Sequence, residues 1–378
     1  MELERIELLI SRYLDGEATP QEREEVELWY AMIQKEDTAP IQEQLTTAQA
    51  YEKLRENLAS EPRRRLPVMI RWAGWSAAAV LVLSFICWPL IKRQFSADIR
   101  QGELHVKKTG AVKGTLLTFS DGTHLAIDQQ PYGRTKLANG FIADLGKDLL
   151  ALESSPGANP NLYHSLSTPA RRKYSVILPD GSRVWLNAGS SLRFPSTFDP
   201  RAPRQISITG EGYLEVAHQR DGRNGRPRPF IVNTAGQQIS VLGTRFNVRA
   251  YPGSPVVTTL FQGSVKVKAS NSQVLLKPGE AAKLVSGTLK LQEHADLDRA
   301  IAWRGNLFIF ADSDLKEILT EFSRWYGIKI IYQTRLSRAT FSGKIPMETD
   351  LGDALKIIEQ EHILFKLQGD KLYVQSRP

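Results

Sequence analysis

The residue types that most often do chemistry are present in this 378-residue chain, but not in working arrangements. Its histidines, His105, His124, His164, His218, His294 and His362, are scattered, without i,i+4 pairs or a His-Glu-x-x-His run, so no metal ligation is indicated. The single cysteine, Cys87, lies in an apolar stretch that offers neither an activated thiolate nor a disulfide partner. No Gly-x-Ser-x-Gly elbow and no phosphate-cradling glycine loop occurs. No catalytic residue and no cofactor is therefore expected, although a Ser/His/Asp site assembled only in three dimensions stays open at this point.

Binding is better provided for. The chain is 42% hydrophobic and 24% charged, with a net charge of +8, the balance of two or three folded modules. Residues 1–60 hold 6 Lys+Arg against 14 Asp+Glu, a local charge of −8. A uniform nucleic-acid binder would not divide its charge this way, so direct nucleic-acid binding is not expected. An acidic module facing a basic partner would, and a merely solvated acidic surface is the other possibility.

The elements that position this module follow from spacing. Ile6, Leu9, Ile10, Tyr13 and Leu14 predict a helix over residues 3–14, stopped by Asp15-Gly16. Thr19-Pro20-Gln21-Glu22 predicts a capping box opening a second helix through Val26, Leu28, Trp29, Met32 and Ile33. A third stretch from about Pro40 to Leu58 aligns Leu45, Ala48, Tyr51 and Leu54 before Pro62 breaks it. Three short helices make a thin core. Leu9, Tyr13, Leu14, Trp29 and Ile33 are thus candidates for a partner-binding face, with core packing the alternative for each.

A basic linker at 61–71, with Arg63, Arg64, Arg65 and Arg71, leads to a run from Trp72 to Ile91 without a charged residue. At 1.5 Å per residue, about 20 helical residues span roughly 30 Å, the hydrocarbon thickness of a bilayer. Trp72, Trp75 and Trp88 stand where an interfacial aromatic belt belongs, and Arg71, Lys92 and Arg93 bracket the segment at the lipid headgroups. The excess of arginine before the span predicts a cytoplasmic N-terminus and a periplasmic C-terminus.

Beyond the span, Gly, Pro, Asn and Asp recur every eight to twelve residues between short runs of Val, Ile, Leu and Phe, the texture of an all-β sandwich, barrel or solenoid. Leu117-Thr118-Phe119-Ser120-Asp121-Gly122-Thr123-His124-Leu125 is echoed by Val176-Ile177-Leu178-Pro179-Asp180-Gly181-Ser182-Arg183-Val184, which predicts a repeated hairpin unit turned at Asp-Gly. A β-rich lead-in is expected over 92–165 and a main β domain over 166–295.

Ser167-Thr168-Pro169, Leu178 to Ala188, Gly210-Glu211-Gly212-Tyr213-Leu214-Glu215-Val216, Pro229-Phe230-Ile231-Val232, Val241 to Val248 and Leu276-Lys277-Pro278-Gly279-Glu280 occur in order. This series resembles the motifs of FecR-family transmembrane regulators. Arg171-Arg172-Lys173 departs from it, standing where that pattern usually has small or glycine residues, as does Gly212-Tyr213-Leu214, where Ala-Tyr-Phe is usual. Arg12 to Glu22 is similar to the anti-sigma segment of the same regulators.

Residues 302–376 predict a small α+β domain: a strand Leu307 to Phe310, a helix carrying Leu315, Ile318, Leu319, Phe322 and Trp325, and a strand Ile328 to Tyr332. A second helix around Leu351, Leu355 and Ile358 precedes a hairpin, Ile363 to Leu367 and Lys371 to Val374, turned at Gly369-Asp370. It is similar to the C-terminal domain of FecR-like proteins of the Bacteroides group and, by element order alone, to the short domain of secretins and TonB-dependent transducers.

The resemblance implies an anti-sigma factor. Its cytoplasmic module would bind an extracytoplasmic-function sigma factor, and its exterior would receive a signal from the signalling domain of an outer-membrane TonB-dependent transducer controlling nutrient-uptake genes. An intramembrane protease as a further partner is left open. The alternative is a membrane-anchored periplasmic carbohydrate-binding or scaffold protein. A reporter active only in the cytoplasm is expected to work when fused near Ser60 and to fail when fused after Pro378. The opposite pattern would refute the predicted topology.

Overall fold

The computed structural model describes residues 114–137, 141–221, 225–270, 272–336, 339–359 and 363–376, with residues 9, 12, 13, 18, 19, 21, 22 and 26. The predicted span 72–91 lies outside them. Among the described residues no helix is long and apolar enough to cross a membrane.

Residues 116–292 form a mostly antiparallel sheet of 18 strands, β1 (Leu116–Thr118) to β18 (Thr288–Gln292). It curls around one core that takes Leu117, Leu125, Phe141 and Leu150 together with Val184, Leu214, Phe246 and Val265, so strands on both sides of residue 165 share one interior. Alternation builds this core: β4 (Phe141–Leu145) buries Phe141, Ala143 and Leu145 on one face.

The sheet turns back on itself through β10 (Arg204–Glu215). Ser207 to Thr209 pair with β9 (Ser191–Pro195), while Gly210 to Glu215 pair with β13 (Arg245–Ala250). Gly210 makes the change of partner possible: its φ is +91°, and a Cβ there would lie 2.6 Å from the Ser190 Cα.

The echoed hairpins have the same bonds. Phe119 N–H donates to Thr123 O and Leu178 N–H to Ser182 O, both at 2.8 Å, and Gly122 (φ +80°) and Gly181 (φ +84°) occupy equivalent positive-φ positions. In each, the aspartate side chain accepts from the backbone two residues on, Thr123 N–H at 2.9 Å and Ser182 N–H at 3.0 Å.

The C-terminal domain begins with α1 (Leu297–Ile301) and a 3₁₀ turn, Ala302–Gly305. Then come β19 (Leu307–Asp314), α2 (Leu315–Tyr326), β20 (Lys329–Tyr332), β21 (Thr340–Pro346), α3 (Leu351–Ile357), β22 (Ile363–Gln368) and β23 (Lys371–Ser376). β19 pairs with β21, and β23 lies between β20 and β22. The five residues whose spacing predicts α2 are its five buried residues. Asp314 caps it by accepting from Glu317 N–H at 2.7 Å, and Gly327 ends it at φ +70°. β21 was not predicted, because Gly343 interrupts its alternation and Pro346 closes it.

Arg204, 0% exposed in its side chain, is held by Asp180, 2% exposed, at 2.8 Å. It also donates to the carbonyls of Ala217 at 2.7 Å and Arg228 at 2.9 Å, tying the hairpin that carries Arg228 to the sheet. Burial lowers the Arg204 pKa, and the Asp180 carboxylate opposes that. Asp180→Asn keeps a turn acceptor but leaves the guanidinium uncompensated, so it is expected to cost about 3–5 kcal/mol in denaturant unfolding of the purified chain. A loss below about 1 kcal/mol, the worth of an exposed pair, would show that water reaches Arg204.

Candidate functional site

Three stretches singled out in the sequence converge where the β domain meets the C-terminal domain. Glu211, 6% exposed, lies on β10 just past the Gly210 turn. Its carboxylate accepts from Asn187 Nδ2 at 2.9 Å and Asn247 Nδ2 at 3.1 Å. Asn247 Oδ1 in turn accepts from the indole Nε1 of Trp303, in the 3₁₀ turn that opens the C-terminal domain, at 3.3 Å. Tyr251, whose phenol burial pushes well above its ordinary pKa, donates to Ala188 O at 2.8 Å.

Aromatic and cationic groups surround this cluster. The Arg304 guanidinium lies 4.3 Å from the Trp185 ring centroid and 4.1 Å from that of Tyr213, and Arg183 lies 4.4 Å from the Trp185 ring. Lys173 Nζ donates to Trp303 O at 2.7 Å and to Asn306 Oδ1. Arg324, on α2, stands 4.3 Å from the Tyr251 ring, donates to Ser254 Oγ at 2.6 Å and shares Glu321 with Arg249. Burial lowers the pKa of both guanidiniums, and the Glu211 carboxylate opposes that.

Arg171 takes a φ of +59°, the conformation that glycine adopts freely. Its N–H donates to Trp325 O at 2.8 Å and its guanidinium lies 5.4 Å from the Tyr326 ring. Arg171 and Lys173, two residues of the Arg171-Arg172-Lys173 stretch that departs from the resembled pattern, thus grip the C-terminal domain. A cleft of about 510 Å³ lies alongside, lined by Arg249, Ser254, Lys283, Arg299, Glu317 and Arg324 among others.

This arrangement can hold two domains in register. Both Glu211 oxygens are occupied by amides. Among the described residues no group of three or more His, Cys, Asp or Glu could hold a metal ion. A Ser/His pair, part of the Ser/His/Asp arrangement left open by the sequence, occurs where His164 Nε2 shares a hydrogen bond with Ser196 Oγ at 2.6 Å. The two are 1% and 0% exposed, His164 Nδ1 has no partner, and Phe119, Phe141 and Phe194 surround the ring. A substrate cannot reach this pair.

The residues predicted to bind a partner are placed only in part. Leu9 and Tyr13 are buried, and the Tyr13 hydroxyl donates to Pro227 O at 3.2 Å. The predicted capping box is formed: Thr19 N–H donates to Glu22 Oε2 at 2.7 Å and Glu22 N–H to Thr19 Oγ1 at 3.3 Å. Leu14, Trp29 and Ile33, and the membrane-flanking Arg71, Trp72, Trp75, Trp88, Lys92 and Arg93, lie outside the described residues. The Glu211 cluster was not anticipated. The only signal for it was the presence of Asn187, Glu211 and Asn247 inside quoted motifs.

Residues 164–266 match the family model described as FecR protein, and residues 307–374 match that described as FecR, C-terminal. Two crystal structures of a candidate anti-sigma factor from Parabacteroides distasonis ATCC 8503, at 1.65 and 2.50 Å resolution, are similar in fold. Each is 24% identical with a TM-score of 0.50, and the match covers 57% of this chain and 99% or 100% of theirs. No curated protein matches the chain.

Burial pushes the His164 pKa from its ordinary 6.5 down to about 4. Between those values the unfolded chain binds the proton and the folded chain does not, so stability falls as pH drops through that window, by about 3 kcal/mol in all. Urea unfolding midpoints should show this slope in the wild type and lose it in His164→Phe. An unchanged slope in the variant would place the titration elsewhere.

Proposed function

Since the chain belongs to the FecR family, we propose that it is a single-pass inner-membrane anti-sigma factor, regulatory rather than enzymatic. Residues 1–60 form its cytoplasmic sigma-binding module, residues 72–91 its span, residues 92–295 its periplasmic β region and residues 302–376 its C-terminal domain. The observation that carries this is the order of parts: an acidic module with helical spacing, an uncharged run long enough to span, then the two matched FecR segments.

On the inner side, the −8 charge and the apolar residues Leu9, Tyr13, Leu14, Trp29 and Ile33 suit a DNA-binding protein whose own surface is basic. A bilayer between the module and the β domain would part Tyr13 from Pro227, freeing the Tyr13 face for that partner. On the outer side, β22 pairs with β23 alone among the described residues. Leu364 and Leu367 on it are exposed, the latter 52%, beside a groove of about 230 Å³ against α3. A segment of a transducer's periplasmic signalling domain would add there as a strand.

The carbohydrate-binding alternative gains nothing from the junction. Trp185, half-buried there, already carries two guanidiniums on its ring.

The isolated fragment 1–60 is expected to retain a sigma factor at physiological salt and more strongly at low salt. Retention of none under either condition would refute the inner half. For the outer half, truncation at residue 303 would uncover Tyr213 and Ala188, which pack with the C-terminal domain, so point variants are cleaner. Leu364→Asp with Leu367→Asp should leave sigma binding within about twofold of wild type and abolish induction by the imported nutrient. Full induction, at wild-type abundance in the membrane, would show that the signal enters elsewhere.

A further inference from the structure

Each of the two exterior domains has a core built mainly from its own residues. Among the described residues, the interior of the β domain contains none of the C-terminal domain. In the C-terminal domain the Phe322 ring lies 5.2 Å from that of Phe308 and 6.2 Å from that of Phe310, and Leu315, Ile318, Leu319, Ile345, Leu372 and Val374 complete the interior. Among the described residues the β domain adds Ala188 and Tyr213 to that cluster, with Trp185 and Phe261 half-buried at its margin.

What crosses between them is mainly directional: the Trp303 indole on Asn247, Lys173 on Trp303 O, Arg304 in the notch of Trp185 and Tyr213, Arg249 on Glu321, Arg324 on Ser254, and Arg171 N–H on Trp325 O. Water can take over each of these bonds when the surfaces part, as at interfaces that form and break. The bonds from Asn187 and Asn247 to Glu211 lie within the β domain and survive the separation. Residues 293–296, between β18 and α1, are the tether.

We propose that residues 302–306 are a latch, with Trp303 and Arg304 as its two catches, and that the C-terminal domain leaves the β domain as an intact folded body when the latch opens. Opening widens the cleft beside Arg249 and Arg324 and bares the aromatic face of Trp185, Tyr213 and Phe261. A partner that binds the released domain better than the docked one shifts the equilibrium by that difference in affinity. The latch depends on the two domains alone and does not require the partner to be a transducer.

Hydrogen exchange of the full chain in detergent micelles distinguishes this from a fused interface. In the variant Trp303→Phe with Arg304→Ala, amides of residues 168–173 and 302–306 should exchange about tenfold faster than in the wild type, while those of 315–326 and 207–216 stay within about twofold. Equal acceleration of 315–326 would mean that the domain unfolds on leaving, and no acceleration at 302–306 would mean that these catches do not hold it. Either result overturns the proposal. Arg304→Lys, which keeps a cation over the two rings, should return exchange at 302–306 to near the wild-type rate; failure to do so would remove Arg304 from the latch.

Discussion

A carboxylate buried as deeply as Glu211 must find donors for both oxygens or destabilise its surroundings. It finds them in Asn187 and Asn247, from segments that flank β10 on either side. The three polar side chains therefore fix the register of neighbouring strands at the place where β10 changes partners, and they leave one acceptor, Asn247 Oδ1, turned to the C-terminal domain. Trp303 takes it. One small set of hydrogen bonds thus links the place where the sheet turns back to the seat of the second domain.

That dependence explains where the chain spends unusual residues. Gly210 is needed because no side chain fits against Ser190 at that turn. Arg171 accepts a left-handed backbone, a conformation costing on the order of 1 kcal/mol without glycine, in exchange for its bond to Trp325 O and its place by Tyr326. Lys173 reaches both Trp303 and Asn306. The stretch that looked anomalous as sequence is the part of the β domain that holds its neighbour.

Local features were legible and long-range ones were not. The stripe Leu315, Ile318, Leu319, Phe322 and Trp325 is buried as its 3.6-residue spacing implies, and Asp121-Gly122 and Asp180-Gly181 turn alike because the same Asx bond and positive φ recur. Thr19 and Glu22 cap each other as their spacing requires. By contrast, 24 and 36 residues separate Glu211 from its two donors, and no local rule links them. β21 escaped because glycine breaks its alternation, and the dual role of β10 because a single strand pattern does not say that its two halves take different partners.

If these domains form the exterior of an anti-sigma factor, the intact chain should carry its sigma factor with it. The direct measurement is purification of the full-length protein from its native membranes without crosslinking, with mass-spectrometric identification of what co-elutes. The account predicts one extracytoplasmic-function sigma factor at near-equal molar amount, lost when residues 1–60 are removed and retained when the exterior domains are altered. Recovery of the intact chain repeatedly free of any sigma factor, or with one that persists after removal of residues 1–60, would contradict it.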